Sequence, residues 1–300
     1  MLLHALALFA MVNGTKLYPR LSPARSDDRI LIVAPHVDDE AVGAGGYALD
    51  AVANGADVYV VYVTAGDCSR LSAHLLHKTL DPTASNYLSV GKTRIAEART
   101  AMKLIGIPSN HIFILGYPDR GLRAMVDNPD AIVRSRGTLA HEVPYDDALS
   151  PGSQYKIDNA VGDLKQVIEM TRPTMVIAPV PFDTHPDHAA TAEIVDAALD
   201  DLQWRPKRLG YLVHSSRIKA LVSTPARALM PPNRLKEFSW ATYPLTDHVQ
   251  QMKTNVLMAY KSQRPYNFLL RNSFVRRNEL FFVYPMTVAD EYPAQLLLAR

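Results

Sequence analysis

Cysteine is almost absent: Cys68 is the only one in 300 residues. That excludes an internal disulfide and any cysteine-rich zinc site, so a metal would have to be held by His, Asp and Glu. Net charge is also small. Lys and Arg number 32 against 30 Asp and Glu, a formal charge of +2, which leaves no electrostatic case for a nucleic-acid partner. Long apolar runs are missing too. The stretch Met1 to Val12 is broken by His4 and is too short to span a bilayer. It lacks a basic leading region, although Ala-x-Ala patterns occur in it. Two readings stand for it: a helix packed on the domain, which goes with a cytoplasmic protein, or the remnant of a signal sequence or anchor, which goes with a membrane-associated or exported one. No repeat, low-complexity tract or inner boundary breaks the remainder. Residues 1–28 are therefore expected to form an N-terminal extension and 29–300 a single domain. At 48% hydrophobic and 21% charged residues, the chain has an ordinary globular composition and is long enough to bury a sizeable core.

Short apolar runs alternate with helical periodicity. Arg29 to Ala34, Asp57 to Thr64, Ile112 to Leu115, Met175 to Ala178 and Leu209 to Val213 read as strands buried on both faces. Between them, Glu40 to Asn54, Val90 to Leu104, Asn159 to Thr171 and Ala189 to Leu202 carry helical spacing; the first stops at Asn54-Gly55, the second at Gly106 and Pro108. The pattern predicts an α/β fold: a mostly parallel, doubly wound sheet with helices on both faces and functional loops at the strands' carboxyl ends. Two long irregular segments, 65–89 and 116–156, fall at those ends, where loops of such length are usually functional. Beyond Leu221 the chain is less regular, with an amphipathic helix around Asp247 to Tyr260 and a last strand around Leu280 to Val283.

Two clusters carry chemistry. Ala34-Pro-His-Val-Asp-Asp-Glu40 ends the first strand, and Phe182-Asp-Thr-His-Pro-Asp-His188 follows the fourth. Strand ends of a doubly wound sheet face one crevice, so the two can converge. Histidine and carboxylate suit Zn²⁺, and a catalytic zinc commonly has three protein ligands plus water. His36 and Asp39 are three apart, as are His185 and His188, so each pair can face one ion. Asp38, beside a metal and not bound to it, can take a proton from metal-bound water. Helix capping alone accounts for one or two acids; it does not account for His36 in the same turn or for a second His/Asp cluster elsewhere.

P-H-V-D-D-E and H-P-D-H resemble the two signatures of the PIG-L/LmbE-like deacetylases, usually written P-H-P-D-D-E and H-x-D-H. Weaker matches are Arg94-x-x-Glu97-Ala98, Leu115-Gly-Tyr-Pro-Asp119 with Gly121, and Lys253 through Tyr260 to Ser262-Gln263. The resemblance runs from about Arg29 to the C-terminus. It implies a Rossmann-like fold and a zinc-dependent N-deacetylase, although another divalent metal is compatible with the donors. The substrate would be a small molecule or glycan bearing an N-acetylated amino sugar. His36, Asp39 and His188 would be the metal ligands and Asp38 the general base. His185 would stabilise the oxyanion as an imidazolium, with Asp187 orienting its ring. Arg94 and Asp119 would contact sugar hydroxyls or the acyl-bearing ring. Val37 departs from the family's usual proline at a position that need not touch the metal. Arg120, between Asp119 and Gly121, is an unusual neighbour and marks a different substrate.

A non-catalytic sugar-binding protein of the same fold would be expected to have lost part of the His/Asp set, and a deacylase of a non-sugar amide keeps the same chemistry. Nucleotide binding lacks its phosphate loop, since Gly43-Ala-Gly-Gly46 lies inside the first helix and reads as close helix–strand packing. Cys68 has no His/Asn partner pattern and reads as a spectator thiol. His74, His77, His141, His214 and His248 carry no assignment. No nucleic-acid partner is expected; a homo-oligomer is compatible with the sequence.

Overall fold

The apolar run after Asp28 forms strand β1 (Arg29–Ala34), buried along all but its first residue. Helix α1 (Asp39–Ala53) follows and stops at Asn54, whose N–H bonds Asp50 O. Strand β2 (Asp57–Thr64) then pairs parallel to β1, with Arg29 against Asp57 and Ala34 against Tyr62. The computed structural model describes residues 18–215, 228–263 and 273–285; the apolar stretch Met1 to Val12 lies outside the described residues. Pro19 and Leu21 exchange backbone hydrogen bonds with Thr242, which sews the start of the described chain onto the far edge of the sheet.

The remaining elements are α2 (Arg70–His77), α3 (Ala84–Ile105), β3 (Ile112–Tyr117), α4 (Leu122–Asp127), α5 (Ile157–Thr171), β4 (Met175–Pro179), α6 (Pro186–Asp201), β5 (Lys207–Tyr211), β6 (Trp240–Pro244), α7 (Asp247–Ala259) and β7 (Asn278–Val283). Among the described residues seven strands run in the order β3-β2-β1-β4-β5-β7-β6. The first five are parallel, while β7 pairs antiparallel to β5 and β6 antiparallel to β7. Helices α1, α3 and α7 pack on one another, and α4, α5 and α6 form a second group. Right-handed crossovers leaving β1 in one direction and β4 in the other place such groups on opposite faces. The mostly parallel architecture is therefore the expected one. Among the described residues no helix is long and apolar enough to cross a membrane.

Three differences from the sequence reading have local causes. Segment 65–89 holds α2, capped where Ser69 Oγ accepts Ser72 N–H, and the first turns of α3, which begins at a capping box between Thr83 and Asn86. Segment 116–156 contains short α4 and is pinned from within by buried Val143, Tyr145 and Tyr155. Strand β5 starts two residues early because its pairing with β4, Met175 against Lys207, sets its ends rather than its hydropathy. The glycines of α1 do serve close packing: a Cβ on Gly43 would lie 2.5 Å from the Tyr211 ring and one on Gly46 2.6 Å from Leu245.

Candidate active site

Strands β1 and β4 are neighbours, and their crossovers depart in opposite directions. A crevice opens at such a switch point, beyond the strands' carboxyl ends. His36 follows β1, Asp38 is the N-cap of α1, and Asp39 begins that helix. From the other side, Asp183 and His185 precede α6 and His188 lies in its first turn. The two clusters meet at one oxygen: Asp39 Oδ2 is 3.1 Å from His36 Nδ1 and 3.1 Å from His188 Nε2. The rings of His36 and His185 are 4.9 Å apart, and those of His185 and His188 5.1 Å. Asp38 is held at φ 115°, a backbone region that few residues with side chains adopt. Its amide donates to Glu40 Oε2 at 3.2 Å, and Glu40 also accepts from the Tyr260 hydroxyl.

Asp187 stands elsewhere than expected. Its backbone N–H, not its carboxylate, meets the His185 ring, donating to Nδ1 at 3.3 Å as part of the helix cap. The carboxylate is fully buried and needs partners. It accepts from Arg120 N at 2.6 Å and Leu122 N at 3.2 Å, and lies 3.1 Å from His36 Nε2. Arg94 is buried as well. It donates to Gly66 O at 2.7 Å and to Val37 O, and stands 3.5 Å from Asp38 Oδ1. These contacts tie together the loops after β1 and β2 and leave the guanidinium facing Asp38 rather than open solvent. Gly66 permits this: its φ is 62°, and a Cβ there would lie 2.3 Å from Arg94 Nη1. Asp119 accepts from Cys68 N at 2.7 Å and lies 3.4 Å from His36 Nε2. It therefore belongs to the histidine cluster itself.

Burial and neighbouring charge set the electrostatics. Burial pushes the Asp38 carboxyl up to about 7 against the pull of Arg94. Burial also opposes ionisation of Asp39, but the His188 and His36 rings outweigh it and hold the group well below the usual carboxylate range. Burial disfavours a charged His188, yet Asp39 and Asp183 bring it up to about 9. The same contest, won by Asp119, Asp187 and Asp39, raises His36 well above its ordinary value. His185 goes the other way: burial and the charges of His36 and His188 push it down to about 4. The imidazolium expected there is therefore disfavoured by its surroundings. With Nδ1 accepting the Asp187 amide, the ring's proton is placed on Nε2.

The donor set fits a divalent ion. His188 is fully buried, and neither of its ring nitrogens makes an aligned hydrogen bond, although carboxylates lie 3.1 and 3.2 Å away. Among the described residues, three groups have ligand atoms within 4.8 Å of one another: His36, His185 and His188; Asp39, His188 and His214; and His36, Asp119 and Asp187. The expected trio of His36, Asp39 and His188 is spread over the first two. Mixed nitrogen and oxygen donors with no thiolate are the ligands of catalytic zinc sites.

Sequence reasoning missed several partners. Asp183 is a further carboxylate on a histidine ring, 3.2 Å from His188 Nδ1. Its oxygens accept His185 N at 2.9 Å and both Val213 N and His214 N at 3.0 Å. Its place within the second cluster was the available signal. His214 arrives from the end of β5, its ring 4.7 Å from that of His188; nothing local marks it. Lys253 is completely buried, donating to Val42 O at 2.9 Å and to Glu279 Oε1 at 2.6 Å. Glu279 in turn accepts Gly46 N and Tyr47 N, so this pair grips the middle of α1.

The chain is similar in sequence and in fold to known proteins. Residues 31–199 match the family profile PIG-L, described as GlcNAc-PI de-N-acetylase. A 1D-myo-inositol 2-acetamido-2-deoxy-alpha-D-glucopyranoside deacetylase of Mycobacterium sp. (strain KMS) is 29% identical over 202 residues, 65% of this chain and 58% of the relative. The chain thus spans a little over half the length of that curated relative. Among solved structures, the N,N'-diacetylchitobiose deacetylase of Pyrococcus horikoshii superposes with a TM-score of 0.55 at 18% identity, covering 90% of this chain and 89% of that one. The zinc-inhibited form of teicoplanin deacetylase Orf2 gives 0.54 at 14% identity, covering 88% and 100%. At such identities the likeness is one of fold.

Proposed function

The chain belongs to the PIG-L, GlcNAc-PI de-N-acetylase family, and from that membership and the geometry of its crevice we propose that it is a zinc-dependent hydrolase removing the N-acetyl group of an N-acetylglucosamine-containing substrate. The observation that carries the reading is the convergence of His36, Asp39 and His188 on one buried point at the switch between β1 and β4. A relative in Mycobacterium supports it, being named as the deacetylase of an acetamido sugar linked to inositol.

In this reading His36, Asp39 and His188 hold the metal. Its chemistry there is to acidify a water and to polarise the amide carbonyl. Asp38 is the general base. A carboxyl pushed up to about 7 sits where a base can both accept a proton from water and pass it to the leaving amine. Arg94 positions Asp38 from 3.5 Å away. His185, neutral with its proton on Nε2, donates to the developing oxyanion. Asp183 fixes the His188 ring, and Asp187 and Asp119 fix His36. Water adds to the carbonyl carbon, the C–N bond breaks, the proton held by Asp38 goes to nitrogen, and acetate and a free sugar amine leave. The test is acetate release across a panel of N-acetylglucosamine conjugates with Zn²⁺ present. Acetate together with an equal amount of free amine is expected; a zinc-loaded protein that releases neither across the panel would overturn the proposal.

A further inference from the structure

Beside His185 the crevice widens into a cleft of about 590 Å³ lined by Arg120, Arg123, Arg136, Asp127 and Asp187 among others. Three arginines in one cleft lining are unexpected in a chain whose charges almost balance. Their partners separate them. Arg123 is neutralised, 2.8 Å from Glu193 Oε1 and 3.2 Å from Asp127 Oδ1. The buried Asp187 carboxylate is already engaged by two backbone amides and His36. Arg120 and Arg136 are exposed and form no ion pair among the described residues. Arg120 and Arg136 therefore face the cleft beside the reaction centre without a carboxylate partner among the described residues, whereas Arg123 has two.

Arg120 is also set in place by its backbone. Its φ is 60°, the left-handed region that residues with side chains seldom enter. The Asp187 carboxylate fixes that turn by taking the Arg120 N–H at 2.6 Å. The same carboxylate meets His36 Nε2 at 3.1 Å, so the arginine's anchor and the metal-site histidine share one rigid group. A planar guanidinium matches phosphate or carboxylate oxygens in two-pronged fashion.

We propose that this cleft is a specificity subsite for an anionic oxygen group, phosphate or carboxylate, carried by the acetamido sugar and held by Arg120 and Arg136. The inference rests on the deacetylase reading above and narrows its substrate to a negatively charged amino sugar. The first readout needs no turnover: calorimetric binding of the product amines glucosamine, glucosamine 6-phosphate and muramic acid to the zinc-loaded protein. At least one charged amine is expected to bind about tenfold more tightly than glucosamine, the scale of a hydrogen bond to a charged group. Which one does so separates phosphate from carboxylate. In Arg120→Gln with Arg136→Gln the preference should vanish, and it should weaken as salt rises. Arg136→Glu, at an exposed loop position, should reverse it and guards against misfolding of the Arg120 variant. Equal affinity for charged and neutral amines, or a preference that survives in the double variant, overturns the proposal. The second readout is acetate release from the matching N-acetyl sugars. If none is released while the arginine-dependent preference stands, the deacetylase reading fails and the anion subsite survives.

Discussion

Replacing Asp183 by Asn tests the assignment of the buried carboxylates. In the native site three backbone amides, at 2.9, 3.0 and 3.0 Å, point at its two oxygens, and His188 Nδ1 lies 3.2 Å away. An Asn side chain keeps one acceptor oxygen and turns a donor NH₂ toward whatever the other oxygen had accepted. Whichever way it flips, at least one N–H is left unpaired, at about 1–3 kcal/mol per buried group. His188 also loses the anion that orients its ring and raises the basicity of Nε2. Loss of such a partner typically weakens metal binding about 10–100-fold. Asp183→Asn is therefore expected to bind zinc 10–100-fold more weakly than wild type, measured by competition with a chromophoric chelator, and to melt lower even without metal. The pH dependence supplies a second reading. Burial opposes ionisation of Asp183, but the His188 charge wins and holds its carboxyl below the ordinary value. A depressed carboxyl stabilises the fold above the unfolded carboxylate range, and that increment disappears as pH falls through the folded value. The acid limb of stability should therefore be shallower in the variant. Zinc affinity within twofold of wild type together with an unchanged melting temperature would refute the assignment.

Three further outcomes are expected. Asp38→Asn should keep its zinc and lose about 10²–10⁴-fold in kcat; metal content and acetate release measured on the same preparation check this, and loss of zinc would make Asp38 a ligand instead. Zinc binding near pH 7 should release on the order of two protons, because ligating imidazoles must be neutral while His188 is raised to about 9 and His36 well above its ordinary value. Affinity then rises with pH, and calorimetry in buffers of different ionisation enthalpy counts the protons. Lys253→Met should destabilise the fold by about 3–5 kcal/mol in urea unfolding, since it leaves Glu279 buried without its cation, whereas a surface Lys165→Met should cost under about 1 kcal/mol.

Much of the fold was legible because buried parallel strands carry their signal locally. The runs Arg29 to Ala34 and Asp57 to Thr64 needed no tertiary context, and the observed strands have those same limits. Elements held by partners far along the chain were less visible. Strand β6 exists through its pairing with β7, Trp240 against Phe282 and Pro244 against Asn278, and five residues ending in proline gave no periodicity to read. The early start of α3 was in principle readable: Thr83 and Asn86 form the capping box, with Asn in place of the more usual Glu or Gln.

The site divides along the same line. Spacing of three predicts that His36 and Asp39, or His185 and His188, share a direction, because one turn of chain fixes that. It does not predict which carboxylate a ring nitrogen meets when five aspartates crowd one crevice. Asp187 is two residues from His185 in sequence, and that nearness made it the apparent partner of the ring. Helix geometry decides otherwise. A residue in the first turn of α6 whose N–H caps onto His185 must send its carboxylate inward, where Arg120 N, Leu122 N and His36 await it. Asp183, before the helix and free of its periodicity, turns back onto His188. A carboxylate buried beside these histidines is thus assigned by the backbone amides it must satisfy. Those amides belong to the loops after β3 and β5, 65 and 30 residues away in the chain. The motif supplies the histidines and carboxylates, and distant loop backbone decides which of them meet.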